Sequence, residues 1–168
     1  MSEQRLWAPW RLAYMQGERA GEGCIFCLAG DAGDDAARFV LHRGERCFAM
    51  LNAFPYNCGH LMVAPVRHVG SVEDLDPDEL LELMTITQRA LRAVRDEYRP
   101  DGFNLGVNEG EIAGAGFADH VHLHVVPRWE ADNNFMAVTA ETRVLPQSLQ
   151  DTYAALPGRF DTATGGAP

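Results

Sequence analysis

Short apolar-rich runs separated by turn-forming clusters fill most of this chain, and one longer stretch carries apolar residues at three- to four-residue spacing. That pattern predicts several strands around one major helix. Arg38 to His42 and Arg46 to Leu51, divided by Arg43-Gly44-Glu45, predict a β-hairpin. A third strand is expected over 60–65, after the turn Pro55-Tyr56-Asn57-Cys58-Gly59. Asp76-Pro77-Asp78-Glu79 combines an N-cap residue, a proline in the first helical position and a glutamate three residues past the cap. Leu80, Leu83, Met84, Thr87, Leu91, Val94 and Tyr98 follow on one helical face, so the spacing predicts a helix over 77–98. Arg99-Pro100-Asp101-Gly102 ends it, 103–108 resumes a strand, and a loop over 109–119 leads onward. A further strand is expected over 135–144 and a short helix over 146–156. The start, 1–23, reads as an arm on a single domain spanning 24–156, and 157–168 reads as a frayed tail. Hairpin-type strands around one long helix give an α+β class with a mainly antiparallel sheet rather than a doubly wound parallel one, and a short C-terminal helix.

The run Asp119-His120-Val121-His122-Leu123-His124-Val125-Val126-Pro127 holds three of the chain's six histidines at every second position. Residues two apart share one face of a strand, so the apolar partners read as core and the imidazoles as a row, with backbones roughly 6–7 Å apart. A polyphosphate can lie along such a row. A neutral imidazole can serve there as nucleophile, proton carrier or metal ligand. The plain alternative is a polar strand face in solvent.

Charge narrows the range of partners. Fourteen Lys and Arg against 24 Asp and Glu leave a net charge of −10, which disfavours nucleic-acid binding through phosphate neutralisation. No apolar stretch in the first 20 residues reads as a signal peptide or membrane span, and a cytoplasmic protein without a membrane partner is expected. With that expectation, the pair in Cys24-Ile25-Phe26-Cys27 reads as reduced or metal-bound thiols rather than disulfide partners.

Two thiolates at this spacing can reach one Zn²⁺, but a closed site needs two further ligands. His68 and His120 are the first candidates, His42 and His60 weaker ones, and a buried reduced pair is the alternative. Cys47 and Cys58 read as packing residues. In the loop before the histidine row, Gly114, Ala115 and Gly116 can bring backbone amides close to an anion, or they simply connect two elements. Arg128 can offset phosphate charge and Trp129 can stack on a base, though an exposed charge and an edge aromatic fit equally well. Asn52 can bond a ribose hydroxyl and Phe54 can wall a base pocket. The alternative for Asn52 is a turn asparagine that satisfies its own backbone.

His120-Val121-His122-Leu123-His124-Val125-Val126 resembles the signature of the histidine triad (HIT) superfamily of nucleotide hydrolases and transferases. The resemblance extends over 24–136: Cys24-Ile25-Phe26-Cys27, Leu51-Asn52-Ala53 with Gly59-His60, and Pro65-Val66-Arg67-His68 come in the family's order. Trp7-Ala8-Pro9-Trp10-Arg11, Asn108-Glu109-Gly110 with Gly114-Ala115-Gly116, Val126-Pro127-Arg128-Trp129 and Asn133-Asn134-Phe135-Met136 resemble the bacterial diadenosine tetraphosphate phosphorylases within it.

The resemblance implies a HIT-like fold with a five-stranded sheet, and a covalent route in which His122 attacks the α-phosphorus. Water or inorganic phosphate would then resolve the nucleotidyl-histidine. It gives His124 the phosphate and the leaving group, and His60 the completion of the cluster. Asn52 falls to the ribose, Asn108 to a second sugar or phosphate contact, and Cys24, Cys27, His68 and His120 to a structural zinc. Where many relatives carry serine or glutamine before the triad, this chain has Gly116 and Phe117, which leaves the phosphate to backbone amides around Gly114 to Gly116. A homodimer through 77–98 and a neighbouring strand is also implied. The alternatives are a nucleoside phosphoramidate hydrolase and a nucleotide-binding module without turnover.

Overall fold

In the computed structural model, residues 23–31, 33–130, 132 and 147–162 are described. The expected strand over 135–144 and, Gly23 apart, the expected arm lie outside them. Five strands form one antiparallel sheet in the order β1-β2-β3-β5-β4: β1 (Val40–Arg43), β2 (Cys47–Leu51), β3 (Leu61–Pro65), β4 (Gly102–Val107) and β5 (Leu123–Arg128). Helix α1 (Ile25–Gly30) covers one face, while α2 (Pro77–Tyr98), α3 (Leu149–Ala155) and α4 (Pro157–Thr162) cover the other.

The period-two pattern sorts side chains between these faces. On β2 and β3, Cys47, Ala49, Leu51, Leu61 and Val63 join the core under α2, whereas Phe48, Met50, Met62 and Ala64 pack with Phe26 and Ala29 of α1. Both central strands are therefore buried along their whole length. Leu123 and Val125 of β5 face α2. His124 pairs with Met62 on one side and Gly106 on the other, and so faces the α1 side.

The predicted helix bounds hold, for a local reason. Pro77 occupies the first turn, and the Glu79 carboxylate accepts from the backbone N–H of Asp76 at 2.9 Å. The buried stripe, however, is rotated from the expected one. Leu83, Ile86, Thr87, Ala90, Ala93 and Val94 are buried, while Leu80 and Met84 are exposed together with Leu81. Small Ala90 and Ala93 let the helix approach the sheet, a choice of face that depends on the partner surface.

Glu82 ties α2 to the β1–β2 hairpin, its carboxylate accepting from the amides of Glu45, Arg46 and Cys47 at 2.9, 2.6 and 2.9 Å. Glycine suits position 44, because a Cβ there would press on the Glu82 carboxylate that holds the hairpin amides and lie 3.0 Å from the Cys47 carbonyl.

Two expectations need correction. The histidine strand enters the sheet ladder at Leu123, so His120 and His122 precede it; the Val121 N–H donates instead to the Val69 carbonyl at 2.7 Å. The tail does not begin at 157, since Pro157–Thr162 is a helix, with Leu156 and Phe160 fully buried. Pro157 stands at its first position, where the missing N–H costs nothing. The short helix expected over 146–156 is Leu149–Ala155, capped by Ser148.

Candidate active site

Phe26 organises the histidine row. It lies between Cys24 and Cys27 on α1, and its ring stacks on His122 (4.5 Å between centroids, 27° between planes) and tilts against His120 at 5.1 Å. Behind that contact His120 and His122 are buried, and His60, immediately before β3, joins the row with its ring 5.2 Å from that of His124. The row is thus real but continuous from His120 through His122 and His124 to His60.

Backbone groups fix the proton on each ring. Nδ1 of His122 lies 2.8 Å from the His120 carbonyl, which only accepts; Nδ1 therefore carries the proton and Nε2 keeps a lone pair. The backbone N–H of Tyr56 donates to Nδ1 of His60 at 2.9 Å, so the His60 proton is on Nε2. That N–H donates across 3.0 Å to Nδ1 of His124, which leaves the His124 proton on Nε2. Burial, reinforced by His122, holds the His124 pKa down at about 4, and burial also lowers that of His122. At neutral pH the pair consists of one imidazole with a lone pair to give and one with an N–H to donate in a hydrogen bond. That combination suits nucleophilic displacement at phosphorus.

Next to the row, Nε2–H of His120 donates to the Pro65 carbonyl at 2.9 Å, which turns the unprotonated Nδ1 toward two thiols. Cys24 Sγ is 3.3 Å from it and Cys27 Sγ 3.7 Å, with His68 Nδ1 3.1 Å from Cys27 Sγ. All four ligand atoms lie within 4.8 Å of one another, and a tetrahedral zinc with S and N ligands spaces them about 3.5 Å apart. Burial, and next the adjoining Cys24 thiol, push the Cys27 thiol up, so its thiolate gains from a cation beside it. Cys2His2 is a zinc donor set. His42, a weaker candidate ligand, lies elsewhere, stacked on Phe160.

A cleft of about 390 Å³ opens beside His124, lined by the Tyr56–Asn57 turn, by Asn104 to Gly106 of edge strand β4, and by Asn108, Val126, Arg128 and Asp132. Tyr56 packs over His60 at 4.7 Å and stacks on His124 at 6.0 Å. Of the expected nucleotide ligands, Asn108 and Arg128 line this cleft. Asn52, Phe54, Trp129 and Gly114 to Gly116 do not.

Several of these residues are already engaged. Asn52 Oδ1 accepts from the Phe54 N–H at 2.9 Å, the turn role weighed for it, while its amide nitrogen lies 3.5 Å from His60 Nε2. The amides of Gly114 and Ala115 donate to the carbonyls of Glu111 and Gly110 at 3.0 and 3.3 Å, so the glycine turn spends those two donors on itself. Arg128 is held by Asp132 and Asn104, and the Trp129 N–H donates to the same Asp132 carboxylate. Phe26, Tyr56, Asn57, Asn104 and Asp132 were not anticipated. Phe26 between the two cysteines, and Tyr56 between Phe54 and His60, stood beside residues already singled out.

Among the described residues, no helix is long and apolar enough to cross a membrane. The HIT domain model matches residues 34–131. The chain is 42% identical over 161 residues to the AP-4-A phosphorylase of Mycobacterium tuberculosis, spanning 91% of this chain and 82% of that protein. It is 31% identical over 143 residues to the protein hit of Bacillus subtilis, spanning 83% of this chain and 95% of that one. A crystal structure of a Zn-bound histidine triad family protein from Mycobacterium smegmatis matches with a TM-score of 0.65 at 27% identity, covering 83% of this chain and 94% of that chain.

Proposed function

The chain belongs to the HIT domain family, and from that membership we propose that it is a dinucleoside polyphosphate phosphorylase, cleaving substrates such as diadenosine tetraphosphate with inorganic phosphate as acceptor. The observation that carries this reading is the complementary protonation of His122 and His124. Similarity to the mycobacterial phosphorylase over nine-tenths of the chain supports the substrate class.

Nε2 of His122 attacks the α-phosphorus, the bond to the bridging oxygen breaks, and the nucleoside triphosphate departs as the anion, its oxygen accepting a hydrogen bond from Nε2–H of His124, which keeps its proton. The product is a nucleotidyl-imidazolium, because Nδ1 of His122 keeps its proton. The His120 carbonyl, 2.8 Å away, accepts from that N–H and stabilises the charge. Phosphate then attacks the same phosphorus, the P–N bond breaks, and His122 returns neutral as ADP leaves. His60 orients His124, and Asn108 in the cleft is placed for a sugar or phosphate contact.

Cys24, Cys27, His68 and His120 would hold a structural zinc that fixes the chain entering β5. Four protein ligands leave it no open position for chemistry. All four cysteines are free, which supports a reducing, cytoplasmic setting. The exposed Leu80, Leu81 and Met84 on α2, with Leu105 on edge strand β4, support a homodimer through these two elements.

Product analysis tests the reaction. Diadenosine tetraphosphate should give ATP plus ADP only when phosphate is present. AMP plus ATP without phosphate would make the protein a hydrolase, and a wide preference for an adenosine phosphoramidate would overturn the substrate class.

A further inference from the structure

The far wall of the cleft is a polar network whose charges cancel. Arg128 is the one cationic side chain among the described residues lining the cleft, which must admit a polyphosphate. Yet Asp132 accepts from Nε and Nη2 of Arg128 at 2.5 and 3.0 Å, and Nη1 donates to Asn104 Oδ1 at 2.7 Å. The carboxylate also accepts from Asn57 Nδ2 at 3.0 Å and from the Trp129 N–H at 3.2 Å. Its side chain is only 6% exposed, against 40% for Arg128, so the anion is anchored in the wall and the cation rests on it. Four donors converging on one buried carboxylate are more than the folding of a surface turn requires.

We propose that Asp132 is a specificity-determining residue, neutralising Arg128 so that the cleft grips the phosphates of the leaving nucleotide weakly enough to release them. The inference rests on the phosphorylase reading for the direction of the leaving group. An unpaired guanidinium in this wall would bind a nucleoside triphosphate strongly and retain it as product. With Asp132 in place, the same guanidinium offers shape and directed N–H groups at little net charge.

Calorimetric titration of ATP and AMP, at low and high salt, separates this role from a purely structural one without needing turnover. Asp132→Asn should bind ATP about tenfold more tightly, the effect of one uncovered charge beside the phosphates, and AMP nearly unchanged. The gain should shrink at high salt and disappear in an Arg128→Gln background. An equal change for both nucleotides, a gain that survives without Arg128, or weaker ATP binding would overturn the proposal. If Asp132→Asn does not fold, Arg128→Gln alone tests the same pair: it leaves Asp132 uncompensated and should weaken ATP binding, not AMP binding, about tenfold. Equal weakening of both would overturn it. A wild-type protein that makes no ATP and ADP from diadenosine tetraphosphate and phosphate, yet shows the shift in ATP binding, would instead defeat the phosphorylase reading alone. Binding of neither nucleotide by the wild type would defeat both.

Discussion

A backbone N–H and a backbone carbonyl decide which nitrogen of each active-site imidazole carries its proton. His60 stands between the Tyr56 amide and His124, so removing it frees His124 to take either tautomer. His60→Ala should therefore lower kcat about a hundredfold with little change in KM, read by steady-state kinetics. A rise in KM at constant kcat would contradict the orienting role. Burial lowers the pKa of the nucleophile His122 as well as that of His124, so the acidic limb of the rate falls below the ordinary histidine value of 6.5. Stability runs in the same direction. Between 6.5 and the His124 value of about 4 the unfolded chain binds the proton that folded His124 refuses, so stability falls as pH drops through this window. A rate profile with its acidic limb centred near 6.5 would contradict the buried neutral pair. At this scale the sequence showed the imidazoles and thiols plainly, because their spacing names the chemistry. It did not show that Arg128 is already paired, since a partner four residues away gives no signal outside a helix.

Helix α1 is six residues long, yet with Cys24 at its N-cap it places both thiols of the cluster, Cys24 and Cys27, and the ring that stacks on His122. Metal loss should therefore spread to the catalytic row. Cys24→Ser should abolish stoichiometric zinc by elemental analysis, lower Tm by roughly 5 °C or more, and reduce turnover with it. Unchanged Tm in the zinc-free variant would contradict a structural role for the metal. The bounds of α2 were legible from Asp76, Pro77 and Glu79, but its buried face was not. Apolar residues at 80, 81, 83, 84, 86, 90, 91, 93 and 94 offer overlapping stripes, and only the sheet selects the one centred on Ile86, Ala90 and Ala93. The same dependence on a partner explains the late start of β5, where the Val69 carbonyl takes the Val121 amide before the ladder begins.

For the whole molecule, the C-terminal segment closes the core that the long helix leaves incomplete. Leu156 and Phe160 seal it, and Phe160 stacks on His42 at 5.6 Å. Phe160→Ala should cost about 3–5 kcal/mol in chemical denaturation, whereas a loss below about 1 kcal/mol would contradict a core position. This segment was unreadable because Pro157 and Gly158 break helices in general, and only the packing shows that the proline opens one. The antiparallel sheet, the long helix and the Cys24–Cys27 pair were readable because each rests on local period and spacing, whereas His68 and His120, 41 and 93 residues from Cys27, were settled among several histidines only by the family resemblance. Across these scales, the segment that enters β5, held by the metal cluster, presents His122 as a nucleophile that phosphate later discharges. Intact-protein mass spectrometry after rapid mixing with diadenosine tetraphosphate in phosphate-free buffer tests it most directly. The account predicts one adenylyl group on His122, absent in His122→Asn and released as ADP when phosphate is added. Turnover with no adduct, or an adduct that persists in His122→Asn, would contradict it.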